Sequence, residues 1–313
     1  MSSAFSCRAR VWVLVIVGAA TCPGLPTAVG QGQRGTQSAA AAWKAEQLPN
    51  RQEKQRTPRG KQGKKPYEPE FGQEGKNVIW VPTADSLVER MLDMAQVSPN
   101  DYVIDLGSGD GRTVIAAAKR GARAHGIEFN ADMVEFSKRR AEAAGVAGRA
   151  TFEKADLFET DLSKATVVTL FLMEWINVKL RPKLLQLKPG TRVVSNTFAM
   201  ADWLPDEAAR VTHACEHYCT ALLWVVPAQV AGTWQLSPGR LHLTQAFQHV
   251  SGKLAAWGTT TEIAAGRMRG DRLTFTVRGS EYEAVLKGDT LEGTITTGKT
   301  KRPFRATKVP EGT

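Results

Sequence analysis

The sequence predicts an α/β protein: a doubly wound, Rossmann-like sheet followed by a small antiparallel, barrel-like β domain. Three observations lead there. Across residues 66–227, short apolar runs alternate with helix-like runs, the order of a parallel sheet covered by helices. Residues 103–112 read V-I-D-L-G-S-G-D-G-R, a strand entering a glycine turn that opens a helix. After Pro227 the texture shifts to short alternating runs punctuated by Gly, Asp or Ser, the mark of antiparallel hairpins.

The formal net charge of +10 on 313 residues is unevenly placed. Residues 1–65 carry eleven Lys or Arg against Glu46 and Glu53, and the remainder is close to balance. A basic tail on a near-neutral body argues against a nucleic-acid partner. Residues 1–30 read as a signal or targeting segment. Arg8 and Arg10 precede a ten-residue apolar stretch, residues 11–20, and Ala28-Val29-Gly30 offers a small-residue cleavage site. The stretch falls short of the roughly 20 residues that cross a bilayer. A signal implies a secreted or periplasmic protein. A retained anchor with the domain facing the cytoplasm is the alternative, and the flanking charges favour export. Residues 31–65 read as a disordered basic linker, too poor in large apolar side chains to offset ordering entropy. Through residues 1–65 the chain can associate with an anionic membrane.

The elements of the 66–227 domain follow in order. Residues 66–80 form an irregular lead-in whose aromatics, Tyr67, Phe71 and Trp80, either lie over a ligand or cover the sheet edge. Thr83 or Asp85 can cap a helix running through Leu87, Val88, Met91, Leu92 and Ala95. A first strand enters the glycine turn and a helix over 113–120 leaves it. A strand over 122–128 ends in G-I-E-F-N, and a helix over 131–144 ends at Gly145. A strand over 150–154 leads to A-D-L-F. Residues 167–172 are continuously apolar, as in a strand buried on both faces. A helix over 178–187 and a strand over 191–195 complete the alternation. Gly107, Glu128, Asp156, Glu174 and Asn196 all fall at strand carboxyl ends, where such sheets bind ligands.

The glycine turn carries chemistry. Gly107, Gly109 and Gly111 let the backbone approach a ligand closely. The last two lie two residues apart, not the three of the dinucleotide fingerprint, and Asp105 precedes the first by two. A carboxylate there repels a pyrophosphate and attracts a cation. S-adenosylmethionine carries an ammonium and a sulfonium. Glu128, seventeen residues beyond Gly111, sits close to the spacing at which an acid binds ribose hydroxyls in related folds.

D-L-G-S-G-D-G-R resembles motif I of class I S-adenosylmethionine-dependent methyltransferases. With V-P-T upstream (Val81 to Thr83) and V-I-A-A-A-K downstream, it resembles the small protein-lysine methyltransferases that act on adenine nucleotide translocase and on the ATP synthase c-ring protein, and their bacterial relatives. The resemblance covers about residues 80–206. It implies S-adenosyl-L-methionine as cofactor, held by Pro82, Thr83, Asp105, Gly107, Ser108, Gly109, Glu128, Asp156 and Leu157, with Asp156 accepting from the adenine amino group. It implies no metal. Glu174 is the candidate catalytic residue, orienting or deprotonating an acceptor ammonium, and Trp175 can line an acceptor channel. A protein lysine is the expected acceptor. A small-molecule or lipid acceptor, and an exported non-catalytic binding protein on the same fold, are the alternatives. The absence of an Asn-Pro-Pro-Tyr-like signature weakens a nucleobase acceptor.

Residues 213–219, H-A-C-E-H-Y-C, alternate so that a strand would place both His and both Cys on one face. This predicts a sixth strand continuing into residues 221–226. Ligands along one strand do not converge on a zinc ion. Nor do Cα atoms four apart on a strand, roughly 13 Å, come within disulfide reach. Residues 228–313 form the β domain, with tight turns at Gly270-Asp271 and Gly288-Asp289. It serves as a structural or partner-docking module, or as a ligand-binding cup.

Overall fold

The structure, a computed structural model, describes residues 67–76 and 78–310. The expected signal segment and linker lie outside the described residues. The first sheet contains β1 (Tyr102–Leu106), β2 (Arg123–Glu128), β3 (Ala150–Lys154), β4 (Val167–Leu170), β5 (Arg192–Asn196), β6 (Glu207–Arg210) and β7 (Thr220–Val225). Their order is β3-β2-β1-β4-β5-β7-β6. β1 to β5 run parallel, and β7 is antiparallel to both β5 and β6. The chain moves outward from β1 to β3, then returns to β4 on the other side of β1. That reversal opens a crevice at the carboxyl ends of β1 and β4.

Burial explains why these runs are strands. β4 is buried at every residue, and β1 and β5 at all but the first, as parallel strands covered on both faces must be. Helices α1 (Asp85–Met94), α2 (Arg112–Lys119) and α3 (Ala131–Ala143) cover one face through Leu87, Met91, Val114, Ala117 and Val134. On the other face α4 (Glu174–Leu185) packs Ile176, Leu180 and Leu184 on Ile104, Val168 and Val193, beside Trp203 and Trp224.

Four expectations need correction. Neither Thr83 nor Asp85 caps α1: the N-cap position is Ala84, with no side-chain cap bond. Thr83 turns inward, its hydroxyl accepting from Asn196 Nδ2 at 3.2 Å. α4 begins four residues early, so Glu174 opens a helix, where a carboxylate favours the positive end of the dipole. Glu207–Arg210 is a strand that its composition did not announce, because E-A-A-R has low β-propensity and little burial. Finally, residues 211–219 are a loop, and the strand starts only at Thr220. Positive φ at Ala214 (51°) and Tyr218 (56°) folds the loop back on itself. Cys215 and Cys219 then lie 5.8 Å apart at Cα and form a disulfide. Cysteines four apart are beyond bridging reach only when the chain between them is extended, and here it is not.

The second sheet holds β8 (Gly232–Leu236), β9 (Gly239–Ala246), β10 (His249–Ala256), β11 (Thr259–Glu262), β12 (Ala264–Arg269), β13 (Arg272–Val277), β14 (Ser280–Lys287), β15 (Thr290–Thr297) and β16 (Thr300–Lys308). Pairing runs from β10 through β12, β13, β14, β15, β16, β8 and β9 back to β10, which closes eight strands into an antiparallel barrel; β11 adds to the far end of β10. Trp234, Leu241, Leu243, Met268, Leu273, Phe275, Tyr282, Leu291 and Phe304 pack together as its core. At this strand number side chains suffice to fill the interior, so a packed core takes the place of the ligand cup.

The two sheets belong to one compact unit. Trp203 stacks on Phe247, between β9 and β10, with centroids 6.0 Å apart, and lies 6.1 Å from Trp224. Trp224 Nε1 donates to the Trp203 carbonyl at 2.8 Å. The fully buried Asp206 carboxylate pairs with Arg267 of the barrel and accepts from the Val225 N–H at 2.8 Å. Trp224→Ala is therefore expected to destabilise the protein by about 3–5 kcal/mol, read as a lower midpoint of urea unfolding. A change under about 0.5 kcal/mol, the scale of surface substitutions, would show that this contact is not part of the core.

Candidate active site

The site begins where β1 ends. The N–H groups of Gly107 and Ser108 both donate to the Ile127 carbonyl, at 2.9 and 3.0 Å, which pins the glycine turn to β2. Gly109 N–H donates to Glu128 Oε2 and Asn130 N–H to Glu128 Oε1, each at 2.9 Å. One carboxylate thus joins the first two strand-to-helix loops. Asn130 in turn caps α3 through Oδ1. Glycine is required at two points. A Cβ on Gly109 (φ 52°) would stand 2.4 Å from Trp80 Nε1, and one on Gly107 (φ 76°) 3.1 Å from Leu172.

Asp105 is buried beneath this turn. Its Oδ1 accepts from Thr169 Oγ1 at 2.6 Å, directly across the β1–β4 pairing. Burial pushes its carboxyl up to about 7; the Thr169 bond opposes this, while the charges of Asp110 and Glu128 add to it. Asp110 itself is clamped by the guanidinium groups of Arg112 and Arg140. Arg112 also donates to the Thr83 carbonyl at 2.8 Å, tying residues 81–83 to the turn.

The lead-in folds back as a strap. Gly72 N–H donates to the Trp80 carbonyl and Trp80 N–H to the Gln73 carbonyl, each at 2.9 Å. Of its aromatics, Trp80 faces the site, Tyr67 packs edge-on against Phe136 of α3, and Phe71 is exposed. Lys76 of the strap meets Asp156 Oδ2 at 2.6 Å and lies 4.4 Å from the centre of the Phe129 ring. Its ammonium, with the Phe158 N–H on Oδ1, holds the Asp156 carboxyl below the usual carboxylate range.

These groups surround one cavity. Pro82, Thr83, Asp105, Gly107, Ser108, Gly109, Glu128, Asp156 and Leu157 all line it, together with Lys76, Trp80, Phe171 and Leu172. Glu174 does not: it stands exposed in the first turn of α4. Sequence reasoning passed over Lys76, whose ion pair spans 80 residues of chain. It also passed over Arg112, whose pairing with an aspartate two residues earlier was a readable signal. Among the described residues no cluster of His, Cys, Asp or Glu could hold a metal.

The cavity is built for a cation. Three carboxylates, Asp105, Glu128 and Asp156, line it. Ser108 Oγ is buried in its wall with no hydrogen-bond partner, a polar atom for a ligand to satisfy. The ANTKMT methyltransferase domain matches residues 105–207, which carry this turn and all three acids. A protein-lysine N-methyltransferase of Saccharolobus islandicus is 44% identical over 153 residues, 48% of this chain and 94% of that one. The chain belongs to the ANTKMT family of S-adenosylmethionine-dependent methyltransferases. The mouse lysine N-methyltransferase of the ATP synthase c-ring protein is 38% identical over 128 residues, 41% of this chain and 51% of that one. The chain thus spans about half the length of the mouse relative. A solved structure, described as an RNA methyltransferase from Salinibacter ruber in complex with S-adenosyl-L-homocysteine, shares 46% identity with TM-score 0.45, covering 48% of this chain and 96% of that one.

The acidic lining suits the two cationic groups of S-adenosylmethionine, and Asp105 makes the fit testable. The folded protein holds its proton to about pH 7, whereas the unfolded chain loses it near 3.8. The stability this neutral carboxyl contributes is therefore full below about pH 4 and lost as pH rises through about 7. Asp105→Asn, always neutral, should flatten the stability curve across that window. A cationic ligand favours the ionised carboxyl, so binding near pH 6 should release protons from the native methyltransferase and fewer from the variant. Calorimetry in buffers of different ionisation enthalpy measures this; equal release from both proteins would refute it.

Proposed function

We propose that this methyltransferase modifies the side-chain ammonium of a protein lysine. The observation that carries the reading is the 44% identity to a protein-lysine N-methyltransferase across nearly the whole of that enzyme. The cofactor supplies an activated methyl group on its sulfonium. The chain's own residues then have distinct tasks. Gly107, Ser108 and Gly109 present backbone at close range, and Asp105 neutralises positive charge beneath them. Glu128, already fixed by two backbone N–H groups, keeps acceptor capacity for ribose hydroxyls. Asp156 and Leu157 take the adenine end, where Lys76 competes for the same carboxylate. Pro82 and Thr83 close the side nearest α1.

A lysine acceptor must lose a proton, because its reference pKa of about 10.4 keeps it charged at neutral pH. Glu174, exposed at the start of α4, orients that ammonium and takes the proton. Glu174→Gln should then lower kcat for a lysine peptide by about 10²–10⁴, the usual contribution of a general base, with S-adenosylhomocysteine affinity unchanged. Methyl-lysine formation followed by mass spectrometry tests both claims. Label appearing only in lipid or small-molecule fractions would replace the lysine reading, and an unchanged kcat would remove Glu174 from the chemistry.

We also propose that the domain works outside the cytoplasm. The Cys215–Cys219 disulfide supports this, since such bonds persist in oxidising compartments, as does the signal-like character of residues 1–30. Alkaline phosphatase fused after Thr313 should be active in a bacterial host; activity of a cytoplasmic reporter alone at that position would refute export.

A further inference from the structure

We propose that Phe171, Phe198 and Tyr218 form an aromatic wall that receives the acceptor's alkylammonium group, and that the Cys215–Cys219 disulfide holds this wall in shape. The proposal rests on the lysine reading above and adds the residues that recognise the acceptor.

Topology brings the three rings together. β4 ends at Leu170, and Phe171 follows at once. β5 ends at Asn196, two residues before Phe198. β7 runs antiparallel to β5 and starts at Thr220, two residues after Tyr218. All three rings therefore leave the sheet at the edge that carries the glycine turn. The acids of the cofactor site occupy the β1–β2–β3 half of that edge, so the β4–β5–β7 half is left for the acceptor. Phe171 lines the cofactor cavity itself. The rings touch as a triangle, with centroid separations of 6.2 Å for Phe171–Phe198, 5.4 Å for Phe171–Tyr218 and 5.7 Å for Phe198–Tyr218. None is in the core, and Tyr218 is 44% exposed.

The chain accepts strain to hold them. Thr197, β-branched, has φ 59°, and its hydroxyl is buried without a partner. The next residue's carbonyl, that of Phe198, accepts from Asn177 Nδ2 at 3.0 Å and Ser195 Oγ at 2.8 Å, both from fully buried side chains. Tyr218 is itself at φ 56°. Such conformations persist where the surroundings over-determine them, and they cluster at ligand sites. Packing alone does not call for this arrangement, because the rings remain half open to solvent. The loop bearing Tyr218 is fastened by the disulfide, by the bond from Val211 N–H to the Cys219 carbonyl at 2.9 Å, and by that from Ser86 Oγ to the Ala214 carbonyl at 3.0 Å.

Ring faces attract cations, Tyr and Phe included. Glu174, three residues after Phe171, and Glu216, within the disulfide loop, are exposed and carry no ion pair among the described residues. Carboxylates flanking aromatic rings suit an alkylammonium and repel phosphate. A dithiol reductant cleaves the disulfide, giving up two electrons and two protons to form two cysteine thiols while closing its own disulfide. The loop then loses its covalent tie, and Tyr218 its fixed place.

The test uses the full chain and a fluorescein-labelled lysine–glycine peptide. Peptide binding is read by anisotropy without cofactor, and methyl transfer as KM and kcat. S-adenosylhomocysteine affinity, by calorimetry, controls for folding. Phe198→Ala and Tyr218→Ala should each weaken peptide binding and raise KM by about two- to thirtyfold, the span of a cation–π contact. Tyr218→Phe should restore both. Dithiothreitol treatment, or the paired change Cys215→Ser with Cys219→Ser, should act as Tyr218→Ala does, and all variants should keep kcat and S-adenosylhomocysteine affinity. Unchanged peptide affinity in Tyr218→Ala, or a parallel loss of S-adenosylhomocysteine affinity, would overturn the wall while leaving lysine methylation intact. A wild-type protein that neither binds nor methylates the peptide would overturn the lysine reading, and the wall with it.

Discussion

The carboxylate of Glu128 is the contact on which the rest of the site depends. It accepts from the Gly109 and Asn130 N–H groups, so it fixes the glycine turn and the start of α3 together. Without it, two loops end in unsatisfied donors beside a cavity. With it, the backbone of residues 107–109 is held in a left-handed path that only glycine follows cheaply at 107 and 109. The same side chain faces the cavity. A single residue therefore both builds the cradle and belongs to its lining.

Charge then divides the crevice. The β1–β2–β3 side gathers Asp105, Glu128 and Asp156, and the strap answers with one cation, Lys76, on Asp156. Crowding of acids and burial keep Asp105 protonated to about pH 7, which lets the protein carry a buried acid at low cost until a cation arrives. The β4–β5–β7 side is aromatic and half open. That asymmetry, acidic within and aromatic without, separates the place of a fixed cofactor from the approach of a mobile side chain.

The barrel completes this arrangement from below. Trp203, Trp224 and Phe247 form a continuous aromatic contact, and Asp206 with Arg267 adds a buried ion pair. The loop carrying Trp203 follows directly on Phe198. The barrel is thus packed against the segment that shapes the acceptor side, and its own interior is filled.

Local chemistry made much of this readable from the sequence alone. The βαβ alternation, the glycine turn, the three acids at strand ends and the hairpin texture after Pro227 each follow from short-range pattern: period, turn residues, and an acid at a set distance from a glycine. Long-range pairing decided the rest. Lys76 reaches Asp156 across 80 residues, and no local pattern ranks that partner above another lysine. Glu207–Arg210 becomes a strand only because β7 lies beside it. The alternation in residues 213–219 looked like a strand, yet β7 begins at Thr220 and two positive-φ residues turn the loop onto itself. Periodicity cannot register a left-handed residue that is not glycine, so the disulfide and the Tyr218 contact emerged only when the chain was folded.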